Sequence, residues 1–295
     1  MNEAANRAAV RARRSRRERR LWAQLLTYAG ALLLAIFILA PFLWLLISSV
    51  APLIDLLRRP LQWIPPHANF ERYKTLFFSP DGREFRFALR NSAIVASIAT
   101  SISLVAGMLG AYALSRFPSR GRTGLLYLML ATYMTPPVAI LLPIYLILGR
   151  LGLLNSVIGL GLVYTSFLTP FLTWILKGFF DSIPAELEHA AMIDGTSRVG
   201  AMLRITLPLS LPGVITAILF GVILAWDEFL YALIFTSSAA AKTLPVAISE
   251  FTSRHAVDYG LMATGGIIAA LPPLILAFAL QRYLIAGLTA GGVKE

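Results

Sequence analysis

Residues 182–212 read S-I-P-A-E-L-E-H-A-A-M-I-D-G-T-S-R-V-G-A-M-L-R-I-T-L-P-L-S-L-P, the one long polar interruption in the C-terminal half of an otherwise apolar chain. Its order of residue types describes two short helices and a turn. Ser182 can cap a helix, Pro184 fits the first turn, and Glu186 and Glu188 stand where a helix dipole favours negative charge. Asp194-Gly195 supplies a stop, because glycine takes the left-handed conformation without a steric cost. Ala190 and Ala191 leave a patch of small side chains that lets a groove or another backbone come close. A second helical piece at 197–207, closed by Pro208, leads back to an apolar run at Leu211. This is the outline of a protruding helix that docks into a partner.

What surrounds the stretch places it at a membrane surface. The chain has 295 residues, of which 57% are hydrophobic and 14% charged, against roughly a quarter charged in soluble domains. The composition is that of a polytopic membrane protein. There is no cysteine, so disulfides, thiolate metal sites and a cysteine nucleophile are excluded. The net charge of +11 does not point to nucleic acid, because eight arginines fall within residues 1–20 beside an apolar span, where they set orientation.

In chain order, residues 1–20 are expected to be a disordered basic cytoplasmic tail, and 21–54, uncharged throughout, the first transmembrane helix. Residues 55–90 mix charge with Pro60, Pro65, Pro66 and Pro80 and read as an extracytoplasmic loop with short helical pieces. Further spans are expected at 91–115, 123–149, 151–176, 211–235 and 259–281, with a tight re-entry near Arg150 and a cytoplasmic tail at 285–295. Six spans put both termini on one side. With the N-terminus inside, inner segments hold 16 Lys and Arg and outer ones 10, which favours N-in and C-in.

The chain carries no G-x-x-x-x-G-K-[ST] phosphate loop, no H-E-x-x-H and no G-x-S-x-G, and His67, His189 and His255 lie in separate segments. If nucleotide drives uphill transport through this protein, another chain must supply the nucleotide site.

The run E-L-E-H-A-A-M-I-D-G at 186–195, with L-P-L-S-L-P downstream, resembles the E-A-A-x-x-x-G loop of membrane subunits of binding-protein-dependent ABC importers, most nearly the carbohydrate-uptake permeases. Supporting matches are N-S at 91–92, A-Y-A-L-S-R-F at 111–117, R-L-G-L-L-N at 150–155, G-F-F-D-S-I-P at 178–184, A-W-D-E-F-L at 225–230, T-L-P-V at 243–246, L-Q-R-Y at 280–283 and the tail G-L-T-A-G-G-V-K at 287–294. The resemblance implies an all-α fold of six transmembrane helices, the type I ABC importer permease core over 91–284, with a coupling loop at 182–210. It implies residence in the bacterial cytoplasmic (inner) membrane and no enzymatic activity of its own. It further implies a second permease subunit, two ATPase subunits that bind ATP and Mg, and an extracytoplasmic solute-binding protein. Glu186, Glu188, His189, Ala190, Ala191, Asp194 and Gly195 would form the ATPase-coupling helix. His189 departs from the pattern, since a glutamate is usual before the two alanines.

Trp226, Asp227, Glu228 and Tyr231 are the candidates for the translocation pathway. The two carboxylates lie roughly 24 Å along the fifth span at 1.5 Å per residue, where a buried charge is costly enough that at least one is expected to face water or a partner. Carboxylates beside an indole suit hydroxyl-rich solutes; a gate or an anchor paired with the partner permease is the plainer alternative. The family commonly has asparagine where Asp227 stands. Two other classes compete: a stand-alone secondary transporter for a polar solute, which predicts internal repeats, and a membrane-embedded enzyme, which predicts a nucleophile or metal set.

Overall fold

The computed structural model describes the backbone at residues 2–58, 63–118, 120–252 and 258–290, and side chains at 20–283 within those ranges. Among the described residues every regular element is a helix. Apart from single turns at Leu53–Leu56, Pro80–Gly82 and Glu250–Thr252, they are α1 (Asn2–Val50), α2 (Glu71–Phe78), α3 (Arg83–Arg116), α4 (Arg122–Tyr133), α5 (Pro137–Arg150), α6 (Val157–Asp181), α7 (Ala185–Ile193), α8 (Arg198–Leu209), α9 (Leu211–Trp226), α10 (Leu230–Phe235), α11 (Leu244–Ser249) and α12 (Tyr259–Ala290).

Among the described residues four helices, within α1, α3, α6 and α12, are long and apolar enough to cross a membrane, and the number rises to six if two bent pairs each count as one span. The bends mark where sequence expectations need correction. The span expected at 123–149 is α4 and α5, set at 87° across Pro136 and Pro137, neither of which can donate a backbone hydrogen bond. The span expected at 211–235 stops at Trp226 and resumes as the single short helix α10. The helix expected from 91 starts at Arg83, because Ser79 accepts the Asp81 N–H and Pro80 pre-forms a first turn. The span expected at 151–176 runs instead from Val157 to Asp181, with Ser156 accepting from the N–H groups of Ile158 and Gly159.

The stretch 1–20 also differs from the disordered tail expected of it: α1 is helical from Asn2. No glycine or proline interrupts 2–29, and alanine, leucine and arginine propagate a helix once the apolar span has nucleated it. The residues after Ala290, with half of the C-terminal motif, lie outside the described ones, as does His255.

The bundle is built on α6 against α3. On α6, Leu160, Tyr164, Leu168, Leu172, Leu176 and Phe180 recur every fourth residue and are all essentially inaccessible. Facing them on α3 is a ladder of the same period, mostly small: Val95, Ala99, Ser103, Gly107 and Ala111. Large ridges thus meet a shallow groove, the arrangement that lets membrane helices gain dispersion contacts where lipid supplies no hydrophobic driving force. A Cβ on Gly107 would come within 3.3 Å of the Thr173 backbone nitrogen, so the approach uses the missing side chain. The ladder divides into an outer cluster around Tyr164, Leu168, Trp226 and Phe235 and an inner one around Tyr112, Leu176, Phe180 and Val214. The two candidate sites sit on these two clusters.

At the edge, α1 joins the bundle through α12. Thr264 donates to the Ser49 carbonyl at 3.1 Å, and Arg72 donates to the Ala51 carbonyl at 2.6 Å. From Arg20 through Leu43 the side chains of α1 are exposed.

Candidate functional site

At the inner end, α6 closes on Asp181, which accepts from Lys177 Nζ at 2.5 Å and Ser115 Oγ at 2.6 Å. Ser182 does not cap the next helix, as expected of it; its hydroxyl turns back to the Phe179 carbonyl, and Pro184 leads into α7. Gly195 has the left-handed conformation its position requires, with φ +89°. The Thr196 N–H reaches the Ala191 carbonyl and the Gly195 N–H the Met192 carbonyl, which is the Schellman pattern that satisfies the last carbonyls of a helix. Ser197 caps α8 by accepting from the Gly200 N–H. The second piece is not closed by Pro208. It passes through a π turn at Met202–Thr206 and bends by 81° only at Ser210. Lacking an N–H, Pro208 cannot complete an α-helical bond, and a wider turn just before it accommodates that loss.

Glu188 is the centre of this region, only 3% exposed. Arg116 Nε donates to its Oε1 at 2.6 Å, Tyr112 donates to Oε2 at 2.7 Å, and the Thr206 hydroxyl donates to Oε1. Arg116 also donates through Nη2 to the Ile183 carbonyl at 3.0 Å. Three elements, α3, α7 and α8, therefore converge on one carboxylate. Burial pushes its pKa up, but the hydrogen bonds from Thr206, Tyr112 and Arg116 and the Arg116 charge outweigh that and hold it below the ordinary carboxylate value.

The seven coupling candidates consequently split. Glu186, His189, Ala190, Asp194 and Gly195 are exposed, and Ala191 is half-buried. Glu188 faces the protein's own bundle, a correction to its expected place on the docking face. Between the exposed members stand Leu187 and Ile193, the latter 86% exposed, so this face of α7 offers apolar area inside a rim of charge. Tyr112, Arg116 and Thr206 were missed as site residues. The first two lie in A-Y-A-L-S-R-F, four apart and so on one helix face, yet nothing local names the glutamate some seventy residues on.

At the outer end, the break between α9 and α10 is held by Glu228. Its Oε1 accepts from the Tyr231 N–H at 2.9 Å, and its Oε2 from the Ala232 N–H at 3.2 Å and from the Tyr164 hydroxyl at 2.5 Å. A carboxylate thus satisfies the first N–H groups of α10, which inside a membrane have no water to turn to. Asp227 beside it is exposed, so the acidic pair divides into one structural and one accessible group.

Trp226 corrects a second expectation. It is 5% exposed, and its indole N–H donates to the Ala269 carbonyl at 3.1 Å. Ala269 is four residues before Pro273, which has no N–H to offer it, so the indole completes a bond the helix lacks. The ring is not presented to a solute. Tyr231 is likewise buried, stacked on Phe167 at 6.2 Å between ring centroids.

The remaining motifs fasten the loop that follows. Asn155, at φ 53°, accepts through Oδ1 from the N–H groups of Ser237 and Ser238, each at 3.0 Å. Asn91 donates to the carbonyls of Ala239 and Lys242, and Ser92 accepts the Leu244 N–H at 2.8 Å. The sequence matches at N-S, R-L-G-L-L-N and T-L-P-V are therefore parts of one staple.

Comparison with known proteins finds relatives in both sequence and fold. Residues 103–289 match the family described as binding-protein-dependent transport system inner membrane component. The chain is 37% identical over 269 residues to the sulfoquinovosyl glycerol transport system permease protein of Agrobacterium fabrum, covering 91% of this chain and 93% of that one. It is 34% identical to the trehalose/maltose transport system permease protein of Thermococcus litoralis, covering 92% and 97%, and 33% identical to the diacetylchitobiose uptake system permease protein of Streptomyces coelicolor, covering 94% and 99%. Among solved structures, a chain of a bacterial ABC transporter involved in the import of the acidic polysaccharide alginate superposes with a TM-score of 0.71 at 21% identity, over 88% of this chain and 96% of that one, a likeness of fold.

Proposed function

We propose that this chain, which belongs to the family of binding-protein-dependent transport system inner membrane components, is the permease subunit of an ATP-driven importer that passes a sugar or sugar derivative inward. The names of the relatives, which concern sulfoquinovosyl glycerol, trehalose, maltose and diacetylchitobiose, support that solute class. ATP and Mg would bind to two ATPase chains, a second permease would complete the pathway, and an extracytoplasmic binding protein would deliver the solute.

One observation carries the mechanism: Glu188 ties α7 to α3 and α8 through Tyr112, Arg116 and Thr206. A helix that merely decorated the surface would need no such anchor. With it, a push on the exposed face of α7 reaches two elements of the bundle as one rigid displacement. Closure of the ATPases supplies that push, and α3 and α8 carry it toward the outer cluster. Asp227, exposed at the break above, is the group best placed to accept hydrogen bonds from a hydroxyl-rich solute.

The direct test is affinity purification of the tagged chain in mild detergent from cells that produce it natively. An ATPase subunit and a second permease should co-purify, and reconstituted transport should require both together with ATP. Uptake of a labelled sugar by the isolated chain in liposomes would instead assign it to the stand-alone transporters.

A further inference from the structure

The outer end of α3 carries a feature that coupling and solute passage do not use. Arg83, Arg86, Phe87 and Arg90 line a cleft of about 370 Å³. At about 100° per residue the four fall within an arc of about 100°, opposite the buried Phe85, Ala88, Ser92 and Val95. The cleft therefore faces away from the bundle. The Arg83 guanidinium lies 5.4 Å over the Phe87 ring, and Arg86 Nη1 donates to the carbonyls of Leu76 at 3.1 Å and Ser79 at 2.9 Å, so these two basic groups are positioned rather than loose.

Depth decides what such a cleft meets. The uncharged run 91–115 spans about 37 Å as a helix, against a hydrocarbon core of about 30 Å. Arg90 then sits within a few Å of the hydrocarbon edge, and Arg86 and Arg83 stand about one and two turns above it, at the level of lipid phosphates. The neighbouring helix α2 offers aromatic surface at the same level: Phe78 is 85% exposed and Phe77 is exposed beside it. Aromatic rings with guanidinium groups at this depth are the furniture of a lipid interface.

We propose that the cleft of Arg83, Arg86, Phe87 and Arg90 holds the phosphate of an anionic phospholipid, in the leaflet on the side of α2. Guanidinium forks match phosphate oxygens in pairs, and three on one helix face exceed what a single interfacial anchor needs. The leaflet is the outer one when the N-terminus is inside.

The test uses the assembled importer, purified in detergent and exchanged into nanodiscs with equal mole fractions of phosphatidylglycerol and phosphatidylcholine. Native mass spectrometry should find phosphatidylglycerol retained preferentially, and R83Q/R90Q should lower that retention about tenfold with phosphatidylcholine unchanged. This pair leaves in place Arg86, whose bonds to α2 are structural. Equal retention by the variant would overturn the proposal. So would displacement of the lipid by millimolar inorganic phosphate, which assigns the cleft to a free anion. A loss of binding-protein affinity in R83Q/R90Q with lipid retention intact would assign the face to an acidic protein surface and equally overturn it.

Discussion

Two glutamates organise the two ends of this molecule, and they do so by different physics. Glu188, outside the membrane, is met by a cation as well as by hydroxyl groups. Glu228, within the fifth span's break, is met among the described residues by neutral donors alone, two backbone N–H groups and the Tyr164 hydroxyl. The first joins separate elements and so can transmit force between them. The second repairs a helix that stops in the middle of an apolar region, and its partners lie mostly within its own segment. A charged pair suits the joint because it resists separation and is directional. Neutral donors suit the repair because no second ion has to be buried.

The largest effect should come from removing the cation. Arg116→Ala leaves Glu188 buried without its counter-ion, a change worth about 3–5 kcal/mol in buried pairs. Transport by the reconstituted importer should fall more than about tenfold, while the chain still inserts and is recovered from membranes. Unchanged transport would show that α7 does not act through α3.

Acid should do the same more gently. Because the folded pKa of Glu188 is lowered from the ordinary 4.5, its stabilisation is full above that value and is lost as pH falls through the lowered one. Without Arg116 one of the groups holding that pKa down is gone, so the loss should begin at higher pH. The thermal stability of the purified complex, measured between pH 7 and pH 3 for both forms, checks this.

Next comes a matched pair of neutral replacements. Glu228→Gln keeps one acceptor oxygen, which can serve either the Tyr231 N–H or the Ala232 N–H with the Tyr164 hydroxyl, strands no partner cation and should retain most transport. Glu188→Gln strands the Arg116 guanidinium and should not. Glu228→Ala, which frees all three donors, should cost about 1–3 kcal/mol in the stability of the detergent-solubilised complex. If the two glutamine variants behaved alike, the contrast between charged joint and neutral repair would be wrong.

Gly195→Val tests the turn below the joint. At φ +89° a β-branched residue is strained by about 1–3 kcal/mol, so the end of α7 should shift and ATP hydrolysis should continue with transport reduced. The smallest effect is expected of Trp226→Phe, which deletes the bond to the Ala269 carbonyl and should lower stability by about 1 kcal/mol with solute affinity unchanged. A selective loss of solute affinity would restore the indole to the pathway.

The sequence by itself determined the membrane class, the number of apolar runs, the protruding helix at 182–212 and its glycine stop, because composition, charge placement and turn chemistry are local properties. The ladder on α6 and its smaller counterpart on α3 stand four residues apart, but among apolar neighbours only the packing singles them out. What the tertiary structure decided is which way each functional side chain turns. Glu186 and Glu188 are two residues apart, so a helix turns them to opposite sides, but only the packing decides which is exposed and which is locked to Arg116. Asp227 and Glu228 divide in the same way, and Trp226 is claimed by a carbonyl that Pro273, nearly fifty residues away, leaves free. A helix or turn forms from its neighbours in sequence. A buried polar group must instead find its partner wherever the packing brings one, and that partner is absent from any local window.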